Sequence, residues 1–362
     1  MRPNYYSGQK SRAPVIVNPD QRGEPGNKYY YSHYEGQLKC NAEGKNYNGD
    51  DEVVDAAIER IHNRPADQPL CMFLGLIYPH TPYRVEEPYF SAIDRAKLPK
   101  RVHADDCTGK PLMESEIRKY AGMQDFTDAD WDELRAVYLG MCMKIDVQFG
   151  KLVEALKEEG IYDDCAIFFL SDHGDMLFDH DMVAKRCFYE QSAKIPLIFT
   201  GKPVVDMAGT VRHDLAEMAD VMPTILQMCG LPIPSTVEGK ALFDASLPAR
   251  DFLFGEIGED KKATRMVRRG DYKFIYYPCG NVKQLFDLKN DPTESHDLAG
   301  DAAYAALLAE LEALMIPQLH GMDLDWVHDG RLVGYPAPEY RPTPTTVCTT
   351  SDGYHWPPPT QC

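Results

Sequence analysis

Apolar runs separated by polar stretches divide this chain into candidate strands. The first two are Ala166–Leu170 and Ile195–Phe199, and a third extends from Leu70 to Tyr78. Continuous apolar runs of this length, rich in Ile, Leu and Phe, are typical of strands that are buried on both faces of a parallel sheet. The three segments therefore predict a mainly parallel sheet.

Helical spacing of apolar residues occurs beside these runs. Residues 53–61 repeat with a helical period, and Asp50 or Asp51 is the predicted N-cap. The clearest helix is predicted over Asp130–Glu159, where apolar side chains share one face. A further helix is predicted from Asp220 to Leu226. Strands that alternate with helices predict an α/β fold.

The pattern changes after residue 252 to short alternating strands followed by one helix. Residues 1 to about 50, 84–128 and the proline-rich stretch beyond about 335 predict irregular structure instead. The predicted strands of the C-terminal part are Phe252–Glu256, Thr264–Arg269, Tyr272–Tyr277 and Lys283–Leu288, and the helix is Ala302–Leu314. Turn residues separate the last three strands.

Composition limits the classes of partner. The 362 residues include 38 basic and 56 acidic side chains, which gives a net charge of −18. Such a balance argues against a nucleic-acid partner, whose binding requires a basic face. No apolar stretch reaches the roughly 18 residues of a membrane span. The first 20 residues contain no apolar signal-peptide core, so a soluble chain without a signal peptide is predicted and its location stays open.

Polar residues that could bind a ligand follow the first apolar run directly. Asp172 offers a hard oxygen donor, His173 an imidazole, and Gly174 a flexible backbone. Open α/β sheets place their ligands at the carboxyl ends of the strands. An Asp-His-Gly triplet is also compatible with an ordinary turn after a strand, because Asp and Gly are common turn residues.

The wider pattern resembles the sulfatase family of the alkaline-phosphatase-like superfamily. Ser171-Asp172-His173-Gly174 is followed by Lys185, by Tyr189-Glu190 and by the apolar strand IPLIF. The resemblance implies a mainly parallel sheet flanked by helices, with a small C-terminal antiparallel sheet and helix. It implies that Asp172 and His173 bind a divalent metal, usually calcium, and that Lys185 contacts the sulfate group. Calcium accepts oxygen donors readily, and an ammonium group suits an anionic oxygen.

A second matching motif follows the Leu70–Tyr78 run. Pro79-His80-Thr81-Pro82 resembles the sulfatase element that brings a histidine to the sulfate and leaving-group oxygens, which makes His80 a candidate hydrogen-bond donor or general acid. Prolines fix the backbone on both sides of the histidine. The alternative is a proline-stiffened turn in which the histidine has no chemical role.

The resemblance covers about residues 45–315 and suggests three parts. Residues 1–245 are predicted to be a partial catalytic α/β domain that lacks the N-terminal strands and nucleophile. Residues 246–330 are predicted to be the C-terminal α+β subdomain, and residues 331–362 a proline-rich tail. Family members are often exported.

Several sulfatase elements do not occur upstream of His80. These are the strand that ends in two aspartates, the C-x-P-x-R or S-x-P-x-R motif that carries the formylglycine nucleophile, and a Gly-Lys-x-x-His-like element. Ser246–Arg250 does fit S-x-P-x-R, but it follows the SDHG strand instead of preceding it. We therefore interpret Ser246 as a chance match; the alternative is a formylglycine precursor. Two ligands cannot fill the 6–8 positions around calcium.

The predicted function is hydrolysis of a small-molecule or carbohydrate sulfate ester by the intact parent protein. This chain is expected to be inactive alone, because nucleophilic catalysis has no first step without the formylglycine. A fragment that begins after the nucleophile segment is the expected origin. Two alternatives stay open: a phosphonate monoester or phosphodiester hydrolase of the same superfamily, and a catalytically dead anion-binding module.

Overall fold

The computed structural model describes residues 24–336 except residues 25, 31, 45, 112, 115–122 and 124. The predicted tail beyond residue 336 lies outside the described residues, as do residues 1–23. The chain forms two compact units. The first contains the described residues up to 100 and those from 123 to 166. The second contains the described residues of 101–114 and 167–336. The predicted boundary at residue 245 stays a prediction.

The first unit is built around one long helix. Its elements are β1 (Tyr34–Gln37), α1 (Gly49–His62), β2 (Tyr83–Val85), α2 (Tyr89–Ala92) and α3 (Asp128–Glu158), with 3-10 turns at Arg95–Lys97 and Tyr162–Asp164. The long helix α3 packs against α1, α2 and β2, and strands β1 and β2 pair in parallel. A Cβ at Gly140 would lie 2.6 Å from the carbonyl oxygen of Tyr89, so α2 and α3 approach closely because that residue is glycine.

Two local predictions in this unit are corrected. β1 lies in a stretch that was predicted to be irregular. The N-cap of α1 is Asn48, whose side chain accepts hydrogen bonds from the backbone N–H groups of Asp50 and Asp51, and not either aspartate. The side chain of Asp51 instead lies 2.9 Å from Lys144, a buried residue of α3. Both aspartates are buried, which a solvent-facing cap would not require.

The predicted buried strand from Leu70 to Tyr78 is not present. Residues 70–77 pair with no strand of the described chain, and alternate side chains are exposed. Phe73 is 96 % and Ile77 67 % exposed. A strand becomes buried on both faces only where neighbouring strands and helices cover it, so the apolar composition of this segment overstated its burial.

The second unit begins with two neighbouring strands, β3 (Ala166–Leu170) and β4 (Leu197–Gly201). The bounds of β3 match the prediction. Its predicted burial on both faces is wrong, because Ala166 is exposed and the rest of the strand is half-buried. Ile198 in β4 is 56 % exposed. In the described chain these strands form a two-stranded sheet, which has too few neighbours to cover both faces.

An antiparallel sheet with two covered faces follows in the second unit. Its strands are β5 (Leu253–Ile257), β6 (Thr264–Arg269), β7 (Tyr272–Tyr277) and β8 (Val282–Asp287). Neighbouring strands are antiparallel, and their order is β5-β6-β7-β8. Further elements are α4 (Glu190–Ala193), α5 (Val221–Met228), α6 (Ala305–Met315), β9 (Val327–His328) and β10 (Arg331–Leu332). 3-10 turns lie at Ala104–Asp106, Asp179–Asp181, Lys202–Met207, Met218–Asp220, Asp260–Lys262, Ala302–Tyr304, Ile316–Gln318 and Gly321–Trp326.

Successive residues of β7 alternate between two buried apolar clusters. Phe274 and Tyr276 belong to the cluster that includes α6, and Ile275 and Tyr277 belong to a cluster with the segment 176–189. The loop that contains Lys185 therefore packs against the antiparallel sheet. This packing explains why both faces of the sheet carry large apolar side chains.

A buried ion network joins the loop segment to the sheet. The ammonium group of Lys273, on β7, lies 2.6 Å from Glu190 and 2.9 Å from Glu294, and it donates to the carbonyl oxygen of Phe188 at 2.7 Å. Burial raises the pKa of Glu294. Burial also acts on Glu190, but Lys273 and Arg268 overcome it and lower the pKa of Glu190. The network therefore keeps at least one carboxylate charged beside the lysine.

We expect Lys273→Met to lower the free energy of unfolding by about 3 kcal/mol or more, because it leaves buried carboxylates without their cation. Urea unfolding monitored by circular dichroism measures the change. Lys289→Met is the control, since Lys289 is exposed. It should change the free energy by less than about 0.5 kcal/mol. Equal effects of the two substitutions would contradict the role of the network.

Candidate active site

Asp172 and His173 lie at the carboxyl end of β3, as predicted. The Asp172 side chain is 78 % exposed, and its Oδ1 accepts a hydrogen bond from the backbone N–H of His173 at 3.0 Å. Nδ1 of His173 lies 2.7 Å from the carbonyl oxygen of Gly174, which can only accept, so Nδ1 carries the proton. Nε2 of His173 lies 3.7 Å from Asp172 Oδ2.

The segment after His173 turns back on itself, and backbone hydrogen bonds join its start to residues on either side of Lys185 in sequence. The N–H of Gly174 donates to the carbonyl oxygen of Ser192 at 2.8 Å, and that of Met176 donates to Ala184 at 2.7 Å. A Cβ at Gly174 would lie 2.1 Å from the carbonyl oxygen of Gln191, so only glycine fits there. Lys185 is half-buried and directly follows Ala184.

The loop around Lys185 is conformationally strained. Between residues 177 and 186, six non-glycine residues have positive φ: Leu177, Phe178, His180, Asp181, Ala184 and Arg186. Such conformations cost about 1 kcal/mol or more each and persist only where surrounding contacts impose them. Both neighbours of Lys185 belong to this set. Strain of this kind concentrates at functional sites, which supports a specific role for the loop.

Contacts from residues 101–104 impose part of this conformation. The guanidinium of Arg101 donates to the carbonyl oxygen of Phe178 at 2.7 Å and to Asp181 at 3.0 Å. The backbone N–H groups of Val102 and Ala104 donate to Asp179 and Asp181, both at 2.9 Å. These bonds fix the backbone on either side of His180.

His180 is completely buried at the centre of the loop. Burial and, to a smaller extent, the neighbouring Lys110 ammonium lower the pKa of His180 to about 4. The ring is therefore neutral at pH 7: Nδ1 accepts from Lys110, and Nε2–H donates to the carbonyl oxygen of Thr293 at 2.8 Å. It stacks on Tyr189 with a centroid distance of 4.3 Å. No sequence pattern indicates the contact with Lys110, because Lys110 lies 70 residues from His180.

His80 lies in the first unit, on a turn after residues 70–77. Its backbone N–H donates to the carbonyl oxygen of Ile77 at 2.8 Å. Nδ1 lies 2.8 Å from the carbonyl oxygen of Thr81, which can only accept, so Nδ1 is the donor. The predicted convergence of His80 with Asp172, His173 and Lys185 stays a prediction.

The Ser246 motif has a structural explanation. Ser246 is exposed, and its hydroxyl donates to Asp244 at 2.6 Å. Arg250, the last residue of the motif, forms an ion pair with Asp220, which is fully buried. Asp220 also accepts from the backbone N–H groups of Glu217 and Lys240. This arrangement supports the interpretation of Ser246 as a chance match.

The described residues do not fit a complete calcium site. Asp172 and His173 are two adjacent donors, and in the part of the chain that the structure describes no group of three or more His, Cys, Asp or Glu side chains could hold a metal ion. Calcium takes 6–8 mainly oxygen ligands.

Comparisons with known proteins agree with the fold. The structure resembles the phosphonate monoester hydrolase SpPMH from Silicibacter pomeroyi, with a TM-score of 0.66 and 25 % identity, over 86 % of this chain and 70 % of that one. It resembles BT4656, solved with its substrate D-glucosamine-2-N,6-O-disulfate, with a TM-score of 0.67 and 19 % identity, over 76 % and 70 % of the two chains. The chain thus has the alkaline-phosphatase-like α/β fold.

The family follows from the sequence comparisons. The sulfatase family model matches residues 16–231, more than half of the chain, so the protein belongs to the sulfatase family. The model for the C-terminal region of N-sulphoglucosamine sulphohydrolase matches residues 178–320. An arylsulfatase from Clostridium perfringens is 28 % identical over 302 residues, which are 78 % of this chain and 60 % of that enzyme. Members of this family generally bind a divalent metal.

The chain spans between half and three fifths of the length of the first curated relatives that it matches. None of the helices in the described ranges combines the length and the apolar character that crossing a membrane would require.

The strain at Ala184 predicts that two substitutions there change the free energy of unfolding in opposite directions. We expect Ala184→Gly to raise the free energy of unfolding by about 1 kcal/mol, because glycine adopts positive φ without strain. Ala184→Val should lower it by more than about 1 kcal/mol. Ala193→Gly, in the exposed part of α4, is the control and should lower it by about 0.5–1 kcal/mol. A loss of stability in Ala184→Gly as large as in Ala193→Gly would contradict the strain.

His180 predicts a loss of stability in acid. Its pKa of about 4 in the folded state lies below the ordinary value of 6.5, so the unfolded chain binds the proton first as the pH falls. Neutral, buried His180 therefore contributes to the free energy of unfolding fully above pH 6.5. As the pH falls from 6.5 to 4, this contribution is lost, and the free energy of unfolding decreases by about 3 kcal/mol. We expect His180→Gln to lack this part of the pH dependence of urea unfolding. His296→Gln, at an exposed site, should retain it.

Proposed function

We propose that the intact protein hydrolyses a sulfate ester of a small molecule or carbohydrate. The observation that carries the proposal is the strained loop of the second unit, which presents Lys185 next to a segment that returns to Asp172 and His173. This arrangement occurs in a chain that belongs to the sulfatase family. In the net reaction, the sulfate ester and water give the alcohol and hydrogen sulfate: the bond between sulfur and the ester oxygen breaks, and the leaving oxygen takes up a proton.

The roles of two side chains follow from their chemistry. Lys185 would neutralise sulfate oxygens, since its ammonium is a compact positive charge in a protein with a net charge of −18. His80 would lie beside the leaving oxygen. Because its Nδ1–H donates to the carbonyl oxygen of Thr81, the imidazolium form of His80 would carry on Nε2 the hydrogen that the departing alcohol needs.

We further propose that Asp172 and His173 belong to a divalent-metal site, with calcium as the metal. A bound calcium ion would supply positive charge for the sulfate oxygens. The two described donors do not complete such a site, so no catalytic step is derived through the metal. We keep the interpretation of Ser246 as a chance match, which the structural role of Arg250 in its ion pair with Asp220 supports.

A second candidate is hydrolysis of phosphonate monoesters or phosphodiesters. The observation that favours it is the structural similarity to a phosphonate monoester hydrolase, which at 25 % identity is no weaker than the similarity to the sulfatase structure above. A third candidate is a chain that binds sulfate but does not hydrolyse an ester. The described residues do not complete a metal site, and the formylglycine motif does not occur upstream of His80.

The test uses the protein expressed from the longest open reading frame that contains these 362 residues. We expect 4-nitrophenyl sulfate to be hydrolysed with a kcat/KM at least about tenfold above that of 4-nitrophenyl phenylphosphonate. His80→Gln and Lys185→Met should each lower kcat/KM by about 100-fold or more. His296→Gln and Lys289→Met are matched controls at exposed positions and should leave it within about twofold.

Preference for the phosphonate would replace the sulfate assignment by the second candidate. Sulfate binding without hydrolysis of either ester would favour the third. Full activity in Lys185→Met would contradict the role of the lysine.

A further inference from the structure

Asp50 is a buried carboxylate that faces the segment leading into His80. It lies in the first turn of α1 and is 3 % exposed. Its Oδ1 accepts from the backbone N–H of Ile77 at 2.9 Å, and its Oδ2 accepts from that of Tyr78 at 2.8 Å. Hydrogen bonds to a carboxylate are stronger than those between neutral groups. Each oxygen of Asp50 thus binds one of the two residues that precede Pro79-His80.

These two bonds act where a strand would ordinarily supply ladder bonds. Residues 70–77 pair with no described strand, so no strand of the described residues fixes the backbone that precedes the turn at His80. His80 N–H donates to the carbonyl oxygen of Ile77, the same residue whose N–H binds Asp50. Asp50 is therefore linked to the backbone of His80 through a single residue.

The next residue of the same helix anchors the other end. Asp51 lies 2.9 Å from the ammonium group of Lys144, which lies 2.7 Å from Glu86, the residue after β2. Burial opposes the charge of Asp51, but Lys144 and the hydrogen bonds to Asp51 lower its pKa. Two consecutive carboxylates at one helix N-terminus, where negative charge is favoured, thus hold residues 77–86 at both ends.

We propose that Asp50 is a positioning residue for His80. It holds Ile77 and Tyr78 so that the imidazole stands at a defined place and orientation, and it does not itself contact the substrate. The functional meaning of this position rests on the proposed function, in which His80 faces an anionic ester. A displacement of about 1 Å is enough to weaken such a group strongly.

The experiment records the histidine imidazole signals of the full chain by NMR, in the absence and presence of sodium sulfate. His80→Gln identifies the signals of His80 by their loss. In Asp50→Asn an NH₂ group replaces one acceptor oxygen, so one backbone N–H faces a donor. We expect this variant to shift the His80 signals and to raise the Kd for sulfate, measured at those signals, about tenfold.

Two further variants separate positioning from a general effect of charge. Asp55→Asn removes the same charge from an exposed position of α1, so it should leave the His80 signals unchanged and the Kd within about twofold. Asp50→Glu retains both acceptor oxygens and should move the His80 signals back towards those of the wild type.

The outcomes decide the two proposals separately. His80 signals in Asp50→Asn that coincide with those of the wild type, or equal shifts in Asp55→Asn, would overturn the positioning role. Wild-type His80 signals that do not respond to sulfate would count against the proposed function, while the comparison without sulfate would still decide the positioning. If Asp50→Asn does not fold, amide exchange in the wild type decides. Slow exchange of Ile77 and Tyr78 supports the proposal, and exchange as fast as in an unstructured peptide overturns it.

Discussion

The ion network around Lys273 is the interaction on which the second unit depends. Its lysine lies on the antiparallel sheet, whereas Glu190 begins the short helix after the Lys185 loop and Glu294 lies in the segment after β8. Three segments far apart in sequence therefore meet at one ammonium group that is 1 % exposed. A buried pair contributes little net stability compared with apolar packing, but removing one partner is costly. The network thus acts mainly as a constraint on how the loop attaches to the sheet.

This attachment makes the loop conformation possible. Six positive φ angles within ten residues would not persist in an isolated segment. They persist because Arg101 and the buried His180 hold the loop on one side and the Lys273 network holds its end. Lys185 stands between two strained residues, so the stability of the unit and the placement of the candidate sulfate contact depend on the same contacts.

The sequence allowed the local elements to be predicted well and their surroundings less well. The bounds of β3 and the strands of the antiparallel sheet followed from apolar runs and turn residues, which are local signals. The burial of residues 70–77 did not, because an apolar run indicates only that a segment can be covered and not which element covers it. Motif letters identified His80, Asp172, His173 and Lys185 as candidates. They gave no indication of Lys110, Arg101 or Lys273, whose contacts with His180, Phe178 and Phe188 span 70, 77 and 85 residues.

The misassigned aspartates of α1 show why such partners escape a sequence pattern. Two acidic residues before an amphipathic helix have the composition of an N-cap, and the expected consequence is a solvent-facing turn. Asn48 takes the capping role instead, and Asp51 completes the capping box by accepting from the backbone N–H of Asn48. Asp50 is thus available to accept from the backbone N–H groups of Ile77 and Tyr78, while Asp51 also pairs with Lys144. Among the described residues, the turn that carries His80 and the loop that carries Lys185 are both irregular backbone, and buried charged groups hold each of them in place.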